Sequence, residues 1–133
     1  MKVCADTWFL LKLFAKDKKA LSVISGLKTC KYEMVIPLIV ICEAYKKLFQ
    51  VGISRKVIDS FVSLLEASPK VRIIPMDRVI AIEASWLSVS FGLPLIDSII
   101  AATAIITGYK NVITRDKHFE ILEKKKKINI VKL

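Results

Sequence analysis

The chain's 133 residues suit one domain around one core, enough to bury roughly two thirds of the surface its unfolded form exposes. Hydrophobic residues make up 54% and mean hydropathy is +0.51, yet the apolar runs Met34 to Cys42 and Leu93 to Thr107 fall short of the ~20 residues of a spanning helix, which argues against a membrane protein. Twenty-two Lys and Arg against twelve Asp and Glu give a net charge of +10, which points to polyanionic partners such as nucleic acid, or more plainly to a basic, soluble surface.

The first residues, MKVCADTWFLLKLFAK, have the basic and apolar character of a signal peptide, but Asp6 and Lys12 interrupt them and no small-residue cleavage site follows. A cytoplasmic protein is expected. Lys2 to Ala5 forms the first β-like run, followed by the apolar stretch WFLLKLFA. Asp17 can then cap a helix whose Ala20, Leu21, Ile24 and Leu27 recur at helical spacing. The second run is Met34 to Ile36, closed by Pro37, and beyond it Leu38, Ile41, Cys42, Tyr45, Leu48 and Phe49 follow a helical period up to Gly52. Ser54 can cap the next helix, which carries Val57, Ile58, Phe61, Val62 and Leu65. Pro69 precedes the third run, Val71 to Ile74, and Asp77 caps another helix. A helix from about Asp97 to Thr107, stopped by Gly108, leads into the fourth run, Val112 to Thr114. Ile128 to Val131 adds an edge strand, and Lys124 to Lys127 reads as a solvated turn.

Strands that alternate with helices imply a mostly parallel sheet in a three-layer α/β/α sandwich, formed by residues 1–133 as one domain. In such sheets ligands bind outside the carboxyl ends of the strands. Asp6 directly follows the first run and Asp116 lies two residues past the fourth, so both belong at that edge. Glu43 lies in the helix after the second run, and Asp97 starts the helix that feeds the fourth. Each has a plain local explanation: Asp97 as a helix cap, Asp6 as a strand end, Asp116 as a cap for KHFEILEK, Glu43 as a partner for Lys46 or Lys47 one turn on. Four carboxylates converging on one edge, however, repel one another and lose hydration unless a cation sits among them. Oxygen donors of this kind suit Mg²⁺ or Mn²⁺.

Other chemistries fit poorly. With one histidine, a two-histidine ribonuclease is excluded, and a Ser-His-Asp triad would have to rest on His118. Neither GxxxxGK[ST] nor GxGxxG occurs. Cys4, Cys30 and Cys42 are odd in number, widely spaced and set among apolar residues, so they are expected as buried free thiols rather than disulfides or zinc ligands.

At its four acids the chain resembles the PIN-domain ribonucleases, particularly the VapC-type toxins of toxin-antitoxin pairs. The resemblance rests on CADTWF at Asp6 and Thr7, IPLIVICEAYKKL at Glu43, LPLIDSIIAATAIITG at Asp97, and VITRDKHF at Thr114 and Asp116, in the family's order. The chain departs from it at Trp8, where the family often has Asn or Ser, and at His118, where it has a further acid. The resemblance implies an endoribonuclease that leaves 3′-hydroxyl and 5′-phosphate ends and has an antitoxin partner. Asp6, Glu43, Asp97 and Asp116 are then the catalytic, metal-holding acids, with Thr7 and Thr114 in support. Lys46, Lys47, Arg115 and Lys117 lie close to the acids in sequence and are candidates for RNA phosphate contacts. The surplus of apolar residues predicts a homodimer, with Phe49, Phe61, Leu65 or Trp86 facing the twin subunit. The competing reading is a non-catalytic RNA-binding or assembly module on the same fold.

Overall fold

The computed structural model describes residues 1–133. Five strands, β1 (Lys2–Ala5), β2 (Glu33–Pro37), β3 (Val71–Ile74), β4 (Asn111–Ile113) and β5 (Asn129–Val131), form one sheet in the order β3-β2-β1-β4-β5. Every pairing is parallel. The helices are α1 (Thr7–Phe14), α2 (Lys18–Lys28), α3 (Leu38–Gln50), α4 (Arg55–Ala67), α5 (Arg78–Phe91), α6 (Leu95–Thr107) and α7 (Glu120–Lys124), with a 3₁₀ turn at Lys117–Phe119. Val3, Cys4 and Ala5 of the central strand are all fully buried. Because successive strand residues point to opposite faces, helices must cover the sheet on both sides. This is the expected α/β/α arrangement.

Local signals set most boundaries. Asp17, Ser54 and Asp77 each accept a hydrogen bond from the backbone three residues on, as expected of caps. Gly108 ends α6 in the left-handed conformation, at φ 77°, where a side chain would be strained. Gly26 serves another purpose within α2: a Cβ there would lie 2.2 Å from the ring of Tyr32, so the missing side chain admits the ring. Three expectations need correction. The sixth helix begins at Leu95 with Pro94 as its cap residue, so Asp97 lies inside the first turn and is not the cap. Only Cys4 is buried; Cys30 falls in the turn after α2, and Cys42 shares the solvent face of α3 with Leu38, Lys46 and Phe49. Leu65 is buried in the core and Phe61 packs edge-on against Phe14, which leaves Phe49 and Trp86 as the exposed pair of the four.

The chain order creates a reversal in the sheet. From β1 it winds outward through β2 to β3, then α5 and α6 return it past both strands to β4 on the opposite side of β1. The crevice outside the carboxyl ends of β1 and β4 is therefore the switch point where such sheets bind ligands. Register fixes what lies there. Ala5 pairs with Ile113, and the Asp6 amide donates to the Ile113 carbonyl at 3.4 Å, so Asp6 and Thr114 emerge side by side.

Candidate active site

Asp6 leaves β1 and at once caps α1, its Oδ1 accepting from the Phe9 amide at 2.9 Å. It is only 4% exposed. Burial pushes its carboxyl up to about 6; the Thr114 hydroxyl and the Phe9 amide oppose this by favouring the charged form, and the negative charges of Asp116 and Asp97 add to the rise. A buried acid with two acidic neighbours is short of a positive partner. Thr7 is also buried, and its hydroxyl donates to Glu43 Oε1 at 2.5 Å. Glu43 is thus oriented by β1's successor helix, and no ion pair joins it to Lys46 or Lys47.

Asp97 reaches the same edge from α6. That helix is apolar almost all round and buried from Ser98 through Ala104, where its alanines allow close approach to the sheet. The hydroxyls of Ser98 and Thr103 turn back onto the Pro94 and Ile99 carbonyls, which makes their burial tolerable. The helix is therefore held in place by packing. Asp97 caps nothing and points across the crevice instead, its Oδ2 lying 2.8 Å from His118 Nδ1. Burial raises its pKa first, the charge of Asp116 next, while His118 lowers it and Glu43 adds a smaller rise.

Asp116 starts the 3₁₀ turn by accepting from the His118 amide at 2.9 Å, while its own amide donates to Thr114 Oγ1 at 2.9 Å. The same Asp116 Oδ1 lies 3.1 Å from His118 Nδ1. Asp97, Asp116 and His118 each bring one donor atom within 4.8 Å of the others, a set that can hold a cation. His118 titrates above its ordinary value, chiefly through its hydrogen bond to Asp97 and then the charge of Asp116. No serine is hydrogen-bonded to its ring, so the nucleophile of a Ser-His-Asp triad is absent.

All four predicted acids and both threonines thus meet at one edge, coupled by charge or hydrogen bonds. Sequence reasoning treated His118 as a departure, although its position two residues beyond Asp116 in TRDKHF was the available signal. Lys46, Lys47 and Lys117 are exposed and form no ion pair. Arg115 differs: its guanidinium lies over the Trp8 ring at 5.2 Å and donates to the Leu133 carbonyl at 2.7 Å, so it helps hold the chain end against α1.

A model of the PIN domain matches residues 3–125. The chain belongs to the PIN-domain family. Members of this family are typically nucleases, and the acidic edge lies within the matched span. Among solved structures, the chain is similar to a toxin-antitoxin complex from Klebsiella pneumoniae, with 24% identity, a TM-score of 0.66, and coverage of 88% of this chain and 89% of that one. It is also similar to VapBC2 from Rickettsia felis bound to a promoter DNA fragment, at 14% identity and a TM-score of 0.75, covering 99% and 98%. FitAcB from Neisseria gonorrhoeae matches at 19% identity and a TM-score of 0.66, covering 96% and 95%. No curated protein matches in sequence. At these identities the structural likenesses establish the PIN fold. No helix is long and apolar enough to cross a membrane.

Proposed function

We propose that this PIN domain is a metal-dependent endoribonuclease, the VapC-type toxin of a toxin-antitoxin pair, acting in the cytoplasm. The observation that carries the reading is Asp97: a carboxylate in a helix's first turn that does no capping and is aimed at Asp116 and His118. The donor set fits a divalent cation, since buried Asp6 and half-buried Asp97 both have raised pKa values that a nearby positive charge would relieve. Asp6, Glu43, Asp97 and Asp116 would hold Mg²⁺ or Mn²⁺, which when bound lowers the pKa of water and neutralises charge developing on a phosphate.

The chain's own residues supply position and access. Thr7 keeps Glu43 turned toward the edge, and Thr114 supports both Asp6 and the backbone of Asp116. Lys46, Lys47 and Lys117 are free to meet RNA phosphates beside the acids. Arg115 can do so only from its place over Trp8.

Two partner surfaces accompany this reading. Val79, Ile82, Trp86 and Val89 are exposed at helical spacing along α5, a stripe suited to the same stripe on a second copy in a homodimer. A hollow of about 390 Å³ between α1, α2 and α4, lined by Phe14, Leu21, Ile24 and Leu64 with Lys16 and Lys28, suits an antitoxin segment that is apolar and flanked by acids. Incubating purified protein with single-stranded RNA, with and without Mn²⁺, tests the function. Ion-dependent cleavage is expected; RNA bound but left intact in every condition would favour a non-catalytic binding module.

A further inference from the structure

Resting on the metal-nuclease reading, we infer that the His118 imidazole is itself a metal ligand. It makes the centre a mixed nitrogen and oxygen site that selects first-row transition ions, such as Co²⁺ or Zn²⁺, over Mg²⁺.

The geometry of the crevice points to this. Nδ1 of His118 lies 2.8 Å from Asp97 Oδ2 and 3.1 Å from Asp116 Oδ1. Neighbouring ligand atoms around a six-coordinate ion with bonds of about 2.1 Å stand about 3 Å apart, so the ring nitrogen is already spaced from each carboxylate as a fellow ligand would be. The ring is placed there by the local chain. Asp116 accepts from the His118 amide, and the next residue, Phe119, is only 1% exposed, which anchors the 3₁₀ turn on the core. Asp97, Asp116 and His118 each bring a donor atom within 4.8 Å of the other two, whereas Asp6 turns one oxygen to the Phe9 amide and Glu43 one to Thr7.

Donor chemistry then sets the preference. Carboxylates and water suit Mg²⁺, which gives up its water reluctantly, whereas imidazole nitrogen suits the later first-row ions. An acid in place of His118 would keep the site all-oxygen; the imidazole does not. The competing assignment is that the ring is a built-in counter-cation for Asp97 and Asp116. It accounts for the same distances and makes a different forecast, because a ring that binds no ion can be removed without loss of Co²⁺ affinity, and its removal strengthens binding wherever it carries charge.

The two are separated by calorimetric titration of the full chain with Co²⁺ and with Mg²⁺ at one mildly alkaline pH, where a bound ion readily displaces a proton from a ligand. The parent should bind Co²⁺ at least about 100-fold more tightly than Mg²⁺. His118→Gln should lose about tenfold or more in Co²⁺ affinity with Mg²⁺ affinity changed less than about twofold, and His118→Asp should narrow the ratio by strengthening Mg²⁺. Proton NMR of the Co²⁺-loaded protein gives a readout independent of cleavage. The chain has one histidine, so a hyperfine-shifted imidazole resonance can arise only from His118. It should appear in the parent and vanish in His118→Gln. Co²⁺ binding without that resonance, or unchanged or tighter binding of both ions by His118→Gln, overturns the inference and leaves a carboxylate metal site standing. If the parent binds neither ion at millimolar concentration, the inference and the metal-nuclease reading fall together.

Discussion

Asp77 and Asp97 stand at the starts of two successive helices and do opposite things. Asp77 is the cap of α5: its Oδ1 accepts from the Ile80 amide at 2.8 Å and satisfies a donor the helix leaves free. Asp97 lies inside α6, whose cap residue is Pro94, and its carboxylate makes no capping bond. It turns to His118, near Asp116. The difference shows how a site is separated from its scaffold: an acid that serves its own helix is spent locally, and one that does not is available to another element.

Cleavage should break the comparison most sharply. Replacing Asp97 with Asn removes a donor charge from the crowded edge and should lower RNA cleavage at fixed Mn²⁺ by two orders of magnitude or more, roughly the scale at which metal-assisted hydrolysis loses a ligand. Asp77→Asn keeps a competent cap and should cut within about twofold of the parent. Equal rates for the parent and Asp97→Asn would remove Asp97 from the site.

Metal should separate the two positions next. A cation bound only by the folded state stabilises it by mass action, about 2.7 kcal/mol at a hundred times its dissociation constant. Thermal melts of the parent and Asp77→Asn should rise alike with Mn²⁺, and those of Asp97→Asn should rise clearly less. A flat melting temperature in the parent up to saturating ion would count against the acidic edge as a metal site.

The contrast between the two acids also marks what the sequence could convey. Asp17, Ser54 and Asp77 were readable as caps because capping involves only the next three residues. The alternation of β-like runs and helices carried the parallel sheet, and with it the edge where Asp6 and Asp116 meet. The polar Asp97 marks the start of α6 in the sequence, whereas the helix begins two residues earlier, at Leu95, because the fixed φ of Pro94 sets its entry. The pairing of Asp97 with His118 spans 21 residues and depends on where α6 docks against β4, which no local pattern encodes. Burial was the least legible property. Leu65 and Phe49 both recur at helical spacing, yet one meets the core and the other meets water, as do Cys30 and Cys42.

Acidity gives a smaller effect, in a direction contrary to ordinary acid unfolding. Asp6 is held near 6 in the folded protein, above the usual carboxylate value of about 3.9 in the unfolded chain. The fold therefore favours its neutral form. Its contribution is fully present below about pH 4 and is lost as pH rises through 6, a decline on the order of 2 kcal/mol in the metal-free protein. Asp97, raised mainly by burial, changes stability in the same direction, and so does His118 as it loses its proton at higher pH. Denaturant midpoints from pH 4 to 7 in the presence of a chelator should fall for the parent and flatten in Asp6→Asn. A parent that gains stability over that interval would show that Asp6 is not held neutral by the fold.

The smallest effect reverses the roles of the two acids. Alanine cannot accept the Ile80 amide, so Asp77→Ala leaves one of the first donors of α5 to water and should cost about 1 kcal/mol. Asp97→Ala removes no cap and relieves repulsion among Asp6, Glu43 and Asp116, at the loss of one bond to exposed His118. The metal-free protein should therefore be as stable as the parent or slightly more so, within about 1 kcal/mol. Urea denaturation in chelator measures both variants under one condition. If Asp97→Ala were the more damaging of the two, its carboxylate would be serving the fold, and the division between a spent acid and an available one would fail at the residue on which the active site depends.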